Sequence, residues 1–484
     1  MFINLSNLLM RSKIPLVFFF LFSLIYLFTY IIIPFHDHDS VLYALRGKII
    51  MEGIPSGSLP FDHKPIGLHV IYGIFGEFIK YGHGQSLIIS LFFNSFFVYI
   101  TYTLLKHFLE INKNKTKHLL IAVISFLIIF QAPFVGLSGN SETLANLFIL
   151  LSLSFLIKSK ENYTFLLVFF SGIFAVLAIS INYLSGIILS LPSLYLLFTT
   201  SNDRKLSVFS IYLFSVSLGA LLFLSLLYFL EISDQYFEDL IAFLKAYGER
   251  TLEERLKALL YFSRWILIFL PIIFSVLFLL PKQSKDKPYN LTTLLLLWVV
   301  SAFIVTLLSG NDFHHYFSFV IAPLIILSAL IVFKSSLKEI FFIFFIPIFY
   351  CMSYMPVEIY DNLKKYKALE KTYKDIDSVF SVVKHKDILS IRIGHVPFYL
   401  SDMKISQKYL FPNLAAYFEG DNEDQYWKEE ISDYEFILIP KKTCELEQLP
   451  LTCDSLKKNY TKILESSYLE EYKIIQSFYL YKKE

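Results

Sequence analysis

The chain has few charged residues and few cysteines, and both shortages exclude some classes of protein. Charged residues make up 17% of its 484 residues, whereas about 25% is usual in a soluble domain. The 43 basic and 41 acidic residues leave a net charge of +2, which gives no reason to expect a nucleic-acid partner. Three cysteines, Cys351, Cys444 and Cys453, are too few for a disulfide scaffold. For the last two, a disulfide and a pair of free thiols are both open.

Long apolar runs take the place of the missing charge. Hydrophobic residues make up 55% of the chain, with 51 Phe and 32 Tyr, and such runs are typical of a polytopic membrane protein. We predict about eleven spans from segments of the length that a helix needs to cross a bilayer. They are Ile14–Pro34, Gln85–Leu105, Leu119–Pro133, Leu144–Ile157, Tyr163–Ile181, Leu184–Thr199, Val208–Leu230, Trp265–Leu280, Leu291–Leu308, Phe317–Phe333 and Ile340–Met355. The length of the first segment favours an uncleaved span over a signal peptide.

The basic residues between these segments predict the orientation. They fall in every second connection, on the same side as Arg11 and Lys13, and they include Lys106, Lys113, Lys115, Lys117, Lys158, Lys160, Arg204, Lys205, Lys282, Lys285, Lys287, Lys334 and Lys338. The positive-inside rule makes that side cytoplasmic. We therefore predict a multi-pass protein of the cell inner (cytoplasmic) membrane with a cytoplasmic N-terminus. Its outer side would carry residues 35–84, 136–143, 231–264, 310–316 and the C-terminal region.

Some outer segments are predicted to be helices that lie on the membrane surface. One side of Asp39–Met51 carries the apolar residues Val41, Leu42, Leu45 and Ile49. Arg46 and Lys48 fall elsewhere on this helix, so the pattern is amphipathic. Pro65–Lys80 and Gln235–Phe262 are two further candidates.

The composition changes after Pro356, which predicts two domains: a membrane module, 1–356, and an extracytoplasmic domain, 357–484. In the second, Asp387–Ile393 and Glu435–Pro440 are short apolar runs that fit buried strands, and Ile475–Tyr481 alternates like a final strand. Helical stretches between these runs predict a small α/β domain.

Ionisable residues concentrate in the first outer loop, at the edge of the predicted membrane, where desolvation is costly and a functional site is the default hypothesis. Asp37 and Asp39 stand two apart, so that in an extended segment both carboxylates could hold one cation or one acceptor hydroxyl. The alternative is that Asp39 or Ser40 caps the following helix, because Asp and Ser are favoured N-caps.

Asp62, His63 and Lys64 form a second group in the same loop. A carboxylate and an imidazole suit a divalent metal, and the lysine suits phosphate. An interfacial salt bridge is the alternative, and the spacing of these residues leaves both open.

Further candidates stand at other outer membrane edges. Glu142 lies in GLSGNSETLAN, almost without other charges nearby, although a Glu near a helix N-terminus is also favoured by the helix dipole. His314, His315 and Tyr316 lie in GNDFHHYF. All these positions fall on one predicted face of the membrane, so they are candidates for a single site.

The motifs and their order resemble those of the polytopic GT-C glycosyltransferases. The bacterial branch related to protein O-mannosyltransferases and to the aminoarabinose transferase of lipid A is the most similar in pattern. The matching stretches are Asp39-Ser40, Tyr43, Gly53-Ile54-Pro55, Asp62-His63-Lys64-Pro65, GNSETLAN and GNDFHHYFSFVIAPLIILSAL. The likeness covers the order of elements through about Val332, and the C-terminal α/β domain also resembles the family's outer domain. The chain departs from the family pattern at Ser56 and Ile66, where the family has Tyr and Pro.

The resemblance implies a mainly α fold of GT-C type, a polytopic transmembrane helical bundle with a small C-terminal extracytoplasmic α/β domain. It implies transfer of a sugar from a polyprenyl-phosphate carrier to a cell-envelope lipid, polysaccharide or protein, with inversion at the anomeric carbon. Asp39 would be the general base or would position the acceptor hydroxyl, and Lys64 would offset the charge of the lipid phosphate. The other implied site residues are Asp37 and Glu142 as catalytic carboxylates, Tyr43, His314, His315 and Tyr316 as substrate-binding residues, and Asp62 and His63 as ligands of a divalent metal.

Three other classes compete with this interpretation. A lipid or solute transporter or flippase would also be polytopic, but its charges are expected near the middle of the membrane. A membrane scaffold with an outer recognition domain has no need of an Asp, His and Lys cluster in its first loop. An oligosaccharyltransferase is expected to carry a W-W-D motif, and none of Trp265, Trp298 and Trp427 is adjacent to another.

Overall fold

The computed structural model describes residues 24, 38–53, 59–60, 62, 64–79, 85–109, 139–161, 164–279, 290–310, 314–336, 338–340, 342–346, 349, 383, 386–393, 407–409, 414–469 and 475–484. Helices form most of this part of the chain. In its first part they are α1 His38–Met51, α2 Ile66–Ile79, α3 Gln85–Leu109, α4 Ser141–Glu161, α5 Phe165–Ile181, α6 Ser185–Phe198, α7 Asn202–Phe229, α8 Ser233–Gly248, α9 Leu252–Leu279, α10 Leu291–Ser309, the 3-10 helix His314–Val320 and α11 Ile321–Lys334.

Within the described residues, four helices are long and apolar enough to cross a membrane, and they lie at predicted spans: Gln85–Leu104, Ser141–Lys160, Asn202–Phe229 and Leu291–Ser309. The apolar helices α5 and α6 are shorter and also coincide with predicted spans. Leu119–Pro133, and Ile14–Pro34 apart from residue 24, lie outside the described residues. A membrane protein is therefore supported, while the count of about eleven spans stays a prediction.

The helices α1 and α2 cross at a pair of glycines. A Cβ atom built on Gly47 would lie 2.5 Å from the backbone nitrogen of Gly73 and 2.6 Å from the carbonyl oxygen of His69. No side chain fits in that space, so the glycines let the two backbones touch. This contact holds α1 and α2 close together on either side of the segment that carries Asp62 and Lys64.

Replacing Gly47 with Ala is expected to destabilise the protein by about 1–3 kcal/mol, the usual cost of overpacking. The matched control is Gly186→Ala in α6, where the nearest atom to the added Cβ is 3.6 Å away. Because Ala is the better helix former, the control is expected to be neutral or stabilising. The unfolding temperatures of the purified variants in detergent measure the difference, and equal temperatures would refute the tight crossing.

The C-terminal region forms a small four-stranded sheet with helices on one side, which agrees with the predicted small α/β domain, although only three of the strands were predicted. Its elements are β1 Ile388–Ser390, α12 Leu414–Glu419, 3-10 helices at Gly420–Asn422 and Ile431–Asp433, α13 Glu423–Glu430, β2 Phe436–Pro440, α14 Lys441–Glu445, α15 Pro450–Asn459, β3 Tyr460–Leu469 and β4 Ile475–Lys483. The strand order is β1-β2-β4-β3, with β1 and β2 parallel and the other pairs antiparallel. Cys444 and Cys453 are joined by a disulfide. The boundary at residues 356 and 357 lies outside the described residues and stays a prediction.

The two faces of this sheet bury different partners. Ile437 and Ile439 of β2 pack on the domain's own helices, together with Trp427 of α13. Phe436 and Leu438, on the opposite face of the same strand, pack in one cluster with the apolar residues of α1. The sheet and α1 therefore share one apolar cluster, and α1 also contributes residues to the apolar core of the membrane helices.

The predicted helix Gln235–Phe262 is divided between α8 and the start of α9. In α8 the polar side is buried and the apolar side is exposed. Its polar residues Gln235 and Asp239 are buried, whereas Phe237, Ile241 and Leu244 are 47%, 66% and 60% exposed. In water a helix buries its apolar side. An apolar side that faces outward is consistent with a helix lying against lipid.

Candidate active site

The centre of the candidate site is an ion pair between the segment that precedes α2 and the first turn of α4. The Lys64 Nζ atom lies 3.1 Å from Glu142 Oε1, and both side chains are almost completely buried. Glu142 stands in the first turn of α4, where the helix dipole also favours a carboxylate. Its predicted roles as a helix-terminus residue and as a member of the site are therefore compatible.

Two neighbours hold the Glu142 carboxylate in place. The Asn182 side-chain amide donates to Glu142 Oε1 at 2.8 Å, and the Ser141 hydroxyl donates to Oε2 at 3.0 Å. The side-chain oxygen of Asn182 in turn accepts from the backbone nitrogen of Leu184 at 2.9 Å. The carboxylate thus has a fixed position, and it fixes the position of the Lys64 ammonium.

Asp62 lies in the same loop as Lys64 but makes different contacts. Its Oδ1 accepts from the backbone nitrogen of Lys64 at 3.2 Å, and its Oδ2 lies 3.3 Å from Nε2 of the buried His69. Burial raises the pKa of Asp62 to about 7; the positive charge of Arg46 opposes this, and the negative charge of Asp39 adds to it. The Asp62 carboxyl group therefore takes up a proton more readily than an exposed carboxyl group does.

A second buried ion pair joins α1 to α8. The Arg46 guanidinium donates to Asp239 Oδ2 at 2.8 Å and to the backbone oxygen of Asp62 at 3.3 Å. The Gln235 amide donates to the other Asp239 oxygen at 2.8 Å. Burial raises the pKa of Asp239 and the guanidinium of Arg46 lowers it. The placement of Arg46 away from the buried side of α1 was wrong: its side chain is completely buried, because α8 and its carboxylate cover that side.

Two predicted residues of α1 lie beside this centre. Asp39 stands in the first turn of α1, is partly exposed, and is near enough to Asp62 for its charge to act on that carboxyl group. Tyr43 is buried, with its ring centroid 5.7 Å from that of His69 and 5.6 Å from that of Tyr72. Asp39 and Asp62, 23 residues apart in the chain, are thus within one cluster of charges.

The remaining predicted residues are less well placed by the structure. Tyr316 is buried in the large apolar core of the membrane helices. His314 and His315 stand in the same 3-10 helix, but their side chains, like Asp37 and His63, lie outside the described part of the chain. The 3-10 helix is tied to α4 because the Asn146 amide donates to the backbone oxygen of Ser318 at 2.7 Å.

Two side chains that could bind a metal ion lie close together in the described part of the site. Asp62 and His69 approach each other as carboxylate and imidazole, the donor types that bind Zn²⁺. No group of three His, Cys, Asp or Glu residues suited to a metal occurs among the described residues. The metal, with Asp62 and His63 as ligands, therefore stays a prediction.

Sequence reasoning missed Arg46, His69, Asn182, Gln235 and Asp239. His69 and Asn182 are polar residues in or beside apolar helical stretches, where desolvation makes an unpaired polar group expensive. Their isolation was the available indication, but it does not identify their partners. Arg46, Gln235 and Asp239 stand close to other charged residues in the sequence and gave no such indication.

Comparisons with known proteins agree with this architecture. No protein-family model and no curated protein matches the sequence. Among solved structures, the crystal structure of ArnT from Cupriavidus metallidurans bound to undecaprenyl phosphate is similar, with a TM-score of 0.59 and 11% identity over 95% of this chain and 97% of that chain. This chain therefore shares the fold of ArnT over almost its full length. At this identity the likeness shows the fold alone.

Proposed function

We propose that this chain is an integral-membrane glycosyltransferase. It would move a sugar from a polyprenyl-phosphate donor to a cell-envelope lipid, polysaccharide or protein on the outer face of the membrane. The observation that carries the proposal is the buried Lys64 ammonium, held by Glu142 at the end of a membrane helix and close to the carboxylates of the first outer loop. The ArnT-like fold supports it, since that relative was crystallised with undecaprenyl phosphate.

The proposed reaction is a direct displacement. Asp39 takes the proton of the acceptor hydroxyl, whose oxygen bonds to the anomeric carbon as the bond from that carbon to the phosphate oxygen breaks. The configuration inverts, and the electron pair of the broken bond stays on the lipid phosphate. The Lys64 ammonium stabilises that growing negative charge in a surrounding of low dielectric constant, where such stabilisation is strongest.

The contacts favour a division of roles. Asp39 is partly exposed and has access to an acceptor, as a general base must. Glu142 is completely buried and accepts hydrogen bonds from Lys64, Asn182 and Ser141. These contacts suit a positioning residue better than a general base. No step of this mechanism is assigned to a metal. Tyr43, His314, His315 and Tyr316 remain candidates for substrate binding.

A transporter is less well supported by the position of the charges. Glu142 is the second residue of α4, and Lys64 precedes the first residue of α2. Both charges therefore lie at helix ends, whereas transporters bind their substrates near the middle of the membrane.

Asp39→Asn tests the proposed base. The variant is expected to fold normally, because the side chain is partly exposed, and to lose transfer by about 100-fold or more, the usual contribution of a general base. The assay incubates the purified chain with labelled polyprenyl-phosphate sugars and measures release of the lipid phosphate that depends on an envelope acceptor fraction.

The matched control is Glu52→Gln, which removes a carboxylate just beyond α1 that is 52% exposed. It is expected to keep wild-type activity. Full activity in Asp39→Asn would remove Asp39 as the base, and absence of release by the wild-type chain with every donor tested would contradict the proposed function itself.

A further inference from the structure

A second cluster of charge lies at the opposite end of the membrane helices. α4 begins at the candidate active site and ends with Lys158 and Lys160 in its last turn. Its 21 residues span about 30 Å at 1.5 Å per residue. This distance is the thickness of the hydrocarbon core, so the second cluster is separate from the candidate active site.

Three helix ends meet at this cluster. The Lys160 ammonium donates to the hydroxyl of Thr199, the C-cap of α6, at 2.8 Å. After the short link to α7, Lys205 lies over the ring of Phe198, with its ammonium 5.1 Å from the ring centroid. Lys160 and Lys205 are close enough for their positive charges to repel each other.

The positive charges in this part of the chain outnumber the negative charges. Lys158, Lys160 and Lys205 make no ion pair with any carboxylate whose position the structure describes, and all three are half-buried. Asp203 forms an ion pair with Arg204 at 3.4 Å. Glu161 adds one further negative charge to this part of the sequence. The C-terminal ends of α4 and α6 contribute about half a negative charge each, while the N-terminal end of α7 adds about half a positive charge.

We propose that this basic cluster binds a phosphate oxyanion, that of an anionic lipid headgroup. The ammonium groups of Lys160 and Lys205 repel each other in a half-buried place, and an anion that enters from outside the chain would relieve this repulsion. Both ammonium groups offer donors to one phosphate. Basic pockets between membrane helices at the headgroup level have this chemistry.

The test measures lipid bound to the purified full-length chain in neutral detergent, by mass spectrometry of the intact complex, and the unfolding temperature. Phosphatidylglycerol, phosphatidylcholine and inorganic phosphate are added separately. Phosphatidylglycerol is expected to bind and to raise the unfolding temperature, and phosphatidylcholine is not. An equal effect of inorganic phosphate would support the same site with a soluble ligand.

The decisive variant is Lys160→Met/Lys205→Met, which keeps the aliphatic stems. Its half-saturating concentration of phosphatidylglycerol is expected to be about 30-fold higher, from the usual contribution of two basic residues. The control, Lys245→Met/Lys257→Met, removes two lysines that are 68% and 72% exposed and already paired with glutamates. It should bind like the wild-type chain.

If the double variant does not fold, the single variant Lys205→Met can be tested in its place. It leaves the bond between Lys160 and Thr199 intact and is expected to weaken binding about fivefold. Unchanged binding in this variant, equal losses in the control, or equal binding of phosphatidylglycerol and phosphatidylcholine would each overturn the proposal.

Discussion

Lys64→Met is expected to lower sugar transfer by about 100- to 1,000-fold, the usual loss when one donor to a developing negative charge is removed. The same change leaves Glu142 as a buried carboxylate without its cation, and breaking such a pair typically costs about 3–5 kcal/mol. Activity and unfolding temperature should therefore both fall. The assay is acceptor-dependent release of lipid phosphate, measured at a temperature where the variant is folded.

A second change separates the chemical role of Lys64 from its structural one. In Lys64→Met/Glu142→Gln the buried charge is gone, so most of the stability should return, but the ammonium is still missing and transfer should stay low. Lys48→Met, in the same region but paired with the exposed Glu52 at 3.8 Å, is the control and should keep its activity. Recovery of transfer in the double variant would show that Lys64 only supports the fold.

Asp239→Asn is expected to destabilise the protein strongly, although the side chain keeps its shape. It would leave the completely buried Arg46 guanidinium without its anionic partner, at a cost of about 3–5 kcal/mol. Because Arg46 also holds the backbone oxygen of Asp62, the loop that carries Lys64 should loosen and transfer should fall as well. The unfolding temperature in detergent and the transfer assay measure the two effects.

Glu253→Gln is the matched control for this change. Glu253 pairs with Lys257 at 2.6 Å, but these side chains are 75% and 72% exposed, and exposed ion pairs contribute little. The double variant Arg46→Met/Asp239→Leu removes both buried charges. Its loss of stability should be smaller than the sum of the losses in Arg46→Met and in Asp239→Leu. Additive losses would contradict the direct pairing of Arg46 and Asp239.

Much of the architecture was predictable because it depends on local pattern. Apolar length predicted α3, α4, α7 and α10 as membrane helices, and alternation predicted β4 at the end of the chain. The strand β3, Tyr460–Leu469, was not predicted. Its polar residues give it little apolar alternation, and it is specified mainly by pairing with β4.

The sequence by itself determined that this is a membrane protein with a charged loop between apolar segments, because composition and the cost of burying charge can be read residue by residue. Only the tertiary structure decided which charges meet. Lys64 and Glu142 are separated by 78 residues and Arg46 and Asp239 by 193, and no local pattern relates such distant positions.

Arg46 illustrates the physical reason. Periodicity placed it away from the buried side of α1, since a lone charge in an amphipathic helix is expected to face water. In the folded chain the C-terminal sheet covers one side of α1 and α8 covers another, with the apolar side of α8 turned outward. A helix buried on several sides needs a partner for its charge, and Asp239, brought there by the fold, is that partner.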